Sequence, residues 1–174
     1  MTFKQTLFSF ILLSLGWISF QPAFCQQMVK NSSYDLMLKT LLSHSVTEIS
    51  AEQAAKLNNA VFLDARAKEE FEVSHIKGAT WVGYDAFKPS MVEDIDKTQP
   101  VVVYCSVGYR SEKISEQLLE MGFSEVSNLY GGIFEWVNRG EEVVNQQAVT
   151  TEEVHAYNKI WGVWLRIPKE KKVY

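Results

Sequence analysis

Cys105 is the residue in this sequence whose type and setting allow the most chemistry. It follows the apolar run Val101-Val102-Val103-Tyr104 and opens the segment Ser106-Val107-Gly108-Tyr109-Arg110-Ser111, after which helical spacing begins. A strand that passes through a tight loop into a helix aims the helix's free N–H groups and positive dipole end at the space above the loop, where an anion is favoured. The same field favours a thiolate, which makes Cys105 a candidate nucleophile. Gly108 lets the loop turn so that backbone N–H groups converge on the sulfur or its cargo. Arg110 adds fixed positive charge whose direction the spacing does not set, and Ser106 and Ser111 add hydroxyl donors. Cys105 is therefore the candidate catalytic residue, and Ser106, Val107, Gly108, Tyr109, Arg110 and Ser111 are the candidate substrate-binding residues. The plainer reading is a buried strand-end cysteine beside an ordinary turn.

The elements that must position this loop follow from periodicity. Tyr34, Met37, Leu38, Leu41 and Leu42 recur at the spacing of a half-buried helix within residues 31–45. Short apolar runs at 46–49, 60–64, 79–82, 101–104 and 126–129 read as buried strands, with Pro100 at a strand start where its missing donor does least harm. Helices are expected between them, at 50–57 behind a Ser50/Gln53 capping box, at 67–73, at 88–96, at 111–121 ending at Gly122, and at 134–138. Strands alternating with helices imply an α/β fold: a mostly parallel central sheet with helices on both faces. The tail is expected to be helical, capped by Thr150 and Glu153, with Val154, Tyr157 and Trp161 on one face docked on the domain. Its rings, including Trp164 and Tyr174, are read as core, with a partner surface as the other possibility.

Residues 1–25 stand apart, with Lys4 as the only charge and a nearly unbroken apolar run from Leu7 to Phe20. This layout predicts an export signal cleaved after Cys25, and a periplasmic location; a retained membrane anchor is the other reading. The bulky Phe24 argues against lipidation of Cys25. Without Lys4 the 17 basic residues become 16 against 21 acidic, a net charge of −5. An acidic balance argues against general nucleic-acid binding. The exported chain would hold Cys105 as its one cysteine, so an intrachain disulfide is excluded; once the signal is removed, no stable membrane insertion is expected.

Cys105 to Arg110 resembles the six-residue active-site loop of the rhodanese family. Leu63-Asp64-Ala65-Arg66, Glu70-Phe71 and His75-Ile76-Lys77-Gly78-Ala79 resemble its upstream motif, and Tyr130-Gly131-Gly132-Ile133-Phe134-Glu135-Trp136 its downstream one. Ser74 departs from the glycine usual in the family before the histidine. The resemblance implies a rhodanese-like three-layer domain over 46–145, between a helical extension at 26–45 and the helical tail at 146–174. It also implies transfer of a sulfane sulfur from a donor such as thiosulfate or a persulfide to cyanide or a thiol. A Cys105 persulfide would be the carrier, with no metal and no organic cofactor. The partners would be a small sulfur-containing anion and a thiol acceptor. Asp64, Arg66 and His75 are read as hydrogen-bonding braces near the loop, and Trp136 as core.

Two competing functions remain. Related domains with a loop one residue longer act as phosphatases or arsenate reductases, and here five residues, not six, separate Cys105 from Arg110. An envelope redox or persulfide-relay module would present the same accessible thiol with little turnover.

Overall fold

The computed structural model describes residues 27–174, so the expected export signal at 1–25 and Cys25 lie outside the described residues. The chain runs through α1 (Ser32–Leu41), β1 (Thr47–Ile49), α2 (Ala51–Ala54), β2 (Val61–Asp64), α3 (Lys68–Val73), β3 (His75–Ile76), β4 (Thr80–Trp81) and β5 (Val101–Tyr104). It continues through α4 (Tyr109–Glu120), β6 (Val126–Leu129), α5 (Gly132–Asn138), β7 (Val143–Val144), β8 (Thr150–Thr151), β9 (Val154–His155) and β10 (Lys172–Val173). No helix of the described residues is long and apolar enough to cross a membrane.

A five-stranded parallel sheet in the order β1-β6-β5-β2-β4 forms the centre, as the alternation of strands and helices predicts. β5 lies inside it with all four residues buried, and its pleat divides them between two cores. Val102 and Tyr104 face the core that holds Tyr34, Leu38, Ile133 and Phe134 of α1 and α5. Val101 and Val103 face the one with Ile114 and Leu118 of α4. The loop after β5 thus emerges where both layers meet, with Cys105 in one core and Val107 in the other.

Local signals set several boundaries. Asn31 caps α1 by accepting from the N–H groups of Ser33 (2.9 Å) and Tyr34 (3.1 Å). The Ser50/Gln53 capping box forms in both directions, although α2 stops at Ala54 rather than near Leu57. The helix expected at 88–96 shrinks to one 3-10 turn, Pro89–Val92. Only Val92 of that turn is buried, too little apolar surface to hold a longer helix.

The tail is docked but is not the expected helix. Val154 and His155 pair with Lys172 and Val173 as a two-stranded parallel ribbon, and the helical turns of the tail are two 3-10 turns, Trp161–Val163 and Lys169–Lys171. Tyr157 has φ 62°, which breaks any helix through the aromatic positions. Tertiary partners override the spacing. Trp164 stacks on Tyr34 at 5.2 Å, and Asn138 brackets the backbone beside it, donating to the Trp164 carbonyl (2.9 Å) and accepting from Arg166 N–H (2.7 Å). Leu165 and Val154 are buried in the α1/α5 core.

Candidate active site

The loop from Cys105 to Gly108 is shaped by turning its carbonyls outward. The Cys105 and Ser106 carbonyls accept from Ile133 N–H (2.9 Å) and Phe134 N–H (3.2 Å), in the first turn of α5. Gly132 makes this approach possible, because a Cβ there would lie 2.4 Å from the Cys105 carbonyl oxygen. The Gly108 carbonyl accepts from Asn128 Nδ2 (3.0 Å), and Ser111 Oγ donates to Asn128 Oδ1 (2.7 Å), tying the loop to β6. With the Cys105, Ser106 and Gly108 carbonyls engaged outside, Gly108, at φ 121°, turns its N–H inward and donates it to Cys105 Sγ at 3.1 Å. α4 begins at Tyr109, two residues before the spacing suggested, which brings its first turn against the thiol.

Cys105 itself is buried and lies at the base of a cavity of about 240 Å³. Ser106, Val107, Tyr109 and Arg110 line it from the loop. Leu41 of α1 and Tyr157 and Trp161 of the tail complete its wall. Gly108 and Ser111 shape the loop from beneath rather than lining this space.

Arg110 is directed sideways onto α3. Its guanidinium grips Glu70 with two bonds, Nη1 to Oε2 (2.7 Å) and Nη2 to Oε1 (3.0 Å). Ser106 Oγ lies 3.0 Å from Arg110 Nη2 and donates to Glu70 Oε1 at 2.9 Å, closing a three-membered network under the loop. Arg110 also sits 5.2 Å from the centre of the Tyr157 ring, and its charge acts on Cys105 as well. Burial alone would raise the Glu70 carboxyl, but the bonds and charge of Arg110, with help from Arg66, hold it below its ordinary value.

That shift has a sign that can be tested. A carboxyl depressed in the folded state adds stability above its unfolded pKa of about 4.3, and loses that contribution as pH falls through the lower folded value. In a Glu70→Gln variant this acid-sensitive part should be absent. Urea midpoints of the two proteins are expected to differ at pH 6–7 and converge below about pH 4. A difference that stays constant with pH would sink the assignment.

Asp64 and Arg66 do not reach the loop. Both are fully buried, with Arg66 Nε and Nη2 on the Asp64 carboxylate (2.6–3.1 Å) and Nη2 also donating to the Ser74 carbonyl (2.6 Å). The pair spans both ends of α3 and so sets where Glu70 stands. His75 is placed differently from the expected brace: its Nδ1 pairs with the Phe71 carbonyl (2.9 Å) and its ring stacks on Phe71 at 3.8 Å. It finishes α3 and enters β3, and no hydrogen bond joins it to residues 105–110 among the described residues. Ser74, where the resembled motif has glycine, has φ −165°, extended backbone open to any residue, but its hydroxyl is buried without a hydrogen-bond partner.

Trp136 is core, with its indole N–H donating to the Glu142 carbonyl (3.0 Å). Glu70, Asn128 and Gly132 hold the loop but were given no role from sequence. Glu70 and Gly132 fall within the motifs that resemble the family's, Asn128 in none, and nothing in the spacing joins Glu70 to Arg110.

The chain matches the rhodanese-like domain family over residues 47–139. A tRNA uridine(34) hydroxylase of Hamiltonella defensa subsp. Acyrthosiphon pisum is 36% identical over 107 residues, 59% of this chain and 29% of that protein. An adenylyltransferase and sulfurtransferase UBA4 of Meyerozyma guilliermondii is 33% identical over 111 residues, 59% of this chain and 26% of that one. The chain thus spans less than a third of these relatives. Among solved structures, a thiosulfate sulfurtransferase from Pseudomonas aeruginosa superposes with a TM-score of 0.56 at 24% identity, over 68% of this chain and 24% of that one. A rhodanese-like domain from Anabaena gives 0.52 at 20%, over 57% and 80%. Both share the fold.

Proposed function

From the premise that this chain belongs to the rhodanese-like domain family, we propose that it is a sulfurtransferase that carries a sulfane sulfur on Cys105. One observation carries the reading: Cys105 Sγ sits at the floor of a cavity, at the start of a helix, with the Gly108 N–H on it at 3.1 Å and the loop carbonyls bonded away. An N–H donor on the sulfur, beside the free N–H groups of the first turn of α4, favours a diffuse sulfur anion there.

In the first half-reaction the thiolate attacks the outer sulfur of the donor. The donor's S–S bond breaks and its electron pair leaves with the donor remnant, sulfite when the donor is thiosulfate. Cys105 is left as the persulfide anion Cys–S–S⁻. In the second, a thiol or cyanide attacks the outer sulfur and the Cys105 thiolate returns. The loop's six residues match a sulfur cargo rather than the tetrahedral oxyanion of the longer phosphatase loop. Export through residues 1–25 to the periplasm belongs to the same proposal and rests on their charge and apolar layout.

The test is intact mass after exposure to thiosulfate or a polysulfide. A reducible gain of about 32 Da, one sulfur atom, is expected, and none in a Cys105→Ser variant. No gain from any sulfane donor would overturn sulfur transfer and favour a redox or binding module.

A further inference from the structure

We infer that the sulfur donor of this site is an organic sulfane with an apolar body, R–S–S⁻ or R–SO2–S⁻ with R aromatic or branched aliphatic, rather than the inorganic thiosulfate dianion. The inference rests on the sulfur-transfer reading and specifies its substrate class.

Three observations carry it. First, charge: Arg110 is the one cation lining the cavity among the described residues, and Glu70 already occupies both arms of its fork. A doubly charged donor would have to shed its water against a guanidinium that is largely neutralised, which disfavours it. Second, surface: above Cys105 the wall is Leu41, Val107, Tyr157 and Trp161, so a ligand body meets aliphatic carbon and two ring systems. The apolar surface continues past Leu41 and Trp161 along α1 to Met37 and Leu36, the latter exposed. Third, size: a cavity of about 240 Å³ exceeds what an inorganic anion of five heavy atoms requires, and lies just below the ~300 Å³ at which sites for drug-sized ligands begin. It suits one ring or a short branched chain. Leu41, Tyr157 and Trp161 all lie outside the family match at 47–139, so this part of the wall comes from the segments that flank the matched domain.

The step balances. Cys105–S⁻ attacks the terminal sulfur of R–SO2–S⁻; the S–S bond breaks, R–SO2⁻ leaves with its electron pair, and Cys105–S–S⁻ forms. With R–S–S⁻, Cys105–S⁻ attacks the terminal sulfur in the same way; the S–S bond breaks, R–S⁻ leaves with its electron pair, and Cys105–S–S⁻ forms.

Benzenethiosulfonate and methanethiosulfonate have the same charge and reacting group and differ only in the body, so they separate wall contact from chemistry. With the full chain and cyanide as acceptor, kcat/KM for each, divided by its uncatalysed rate with cyanide, should favour the phenyl donor by roughly 10- to 100-fold. Thiosulfate, treated the same way, should fall below it. Trp161→Ala should pull the phenyl-to-methyl ratio down by about 10-fold. Tyr157→Ala, at a half-exposed ring, should do the same in part, and serves if Trp161→Ala does not fold. A normalised ratio near one, thiosulfate as the best donor, or ratios unmoved in the folded variants would overturn the apolar-donor inference while sulfur transfer stands. Failure of all three donors to add sulfur to Cys105 would overturn sulfur transfer itself.

Discussion

Gly132→Ala is expected to slow persulfide formation by about 100-fold or more and to cost on the order of 2–5 kcal/mol of stability. The new Cβ would fall 2.4 Å from the Cys105 carbonyl oxygen and 2.6 Å from the Ser106 carbonyl carbon, both backbone atoms that no rotamer change can move aside. Gly132 also stands at φ 55°, where a side chain adds strain of its own. The loop must therefore retreat from α5, and the two bonds from Ile133 and Phe134 that aim its carbonyls outward lengthen or break. Gly140→Ala is the matched control. It has φ 90° but nothing within 4 Å of the added Cβ, so about 1 kcal/mol is expected and no loss of rate. Urea denaturation and the rate of the 32 Da gain read both effects. Equal behaviour of the two variants would show that the close approach of Gly132 does not shape the site.

Asp64→Ala is expected to cost about 3–5 kcal/mol, because it strands the Arg66 guanidinium in a fully buried place. Arg66 has little left to hold there: Nη1 already has no partner, and only the Ser74 carbonyl would remain for Nη2. Burial opposes the Arg66 charge and the Asp64 carboxylate overcomes that opposition, which is why the group's pKa is raised with its partner in place. Removing both charges, as Asp64→Ala with Arg66→Met, should recover much of the loss, since the desolvation penalty then disappears with the pair. A single Asp64→Ala that unfolds within 1 kcal/mol of the parent, or a double variant worse than the sum of the singles, would contradict this account. Because the pair sets α3, Asp64→Ala should also loosen Glu70 from Arg110 and reduce sulfur loading at temperatures where the fold persists.

The fold was legible where local pattern and tertiary demand agree. The run Val101 to Tyr104 reads as a buried strand from composition alone, and its neighbours on both sides want that strand. The Ser50/Gln53 box is satisfied within four residues. The tail was not legible. Val154, Tyr157 and Trp161 happen to recur at helical spacing, yet Tyr34 and Asn138, far away in sequence, capture Trp164 and the backbone around it.

The same division holds at the site. That Cys105 ends a buried strand and opens a tight turn into a helix, with Gly108 where the chain must turn, is determined by the sequence itself, because strand, turn and helix propensities act over a few residues. The direction of Arg110, the role of Glu70, the placement of His75 on Phe71 and the wall above Cys105 were decided by tertiary structure. Arg110 and Glu70 are 40 residues apart, and Leu41 and Trp161 come from opposite flanks of the domain. Side chains so far apart in sequence meet only when the sheet order and helix packing bring their elements together, and spacing along the chain carries no trace of that meeting.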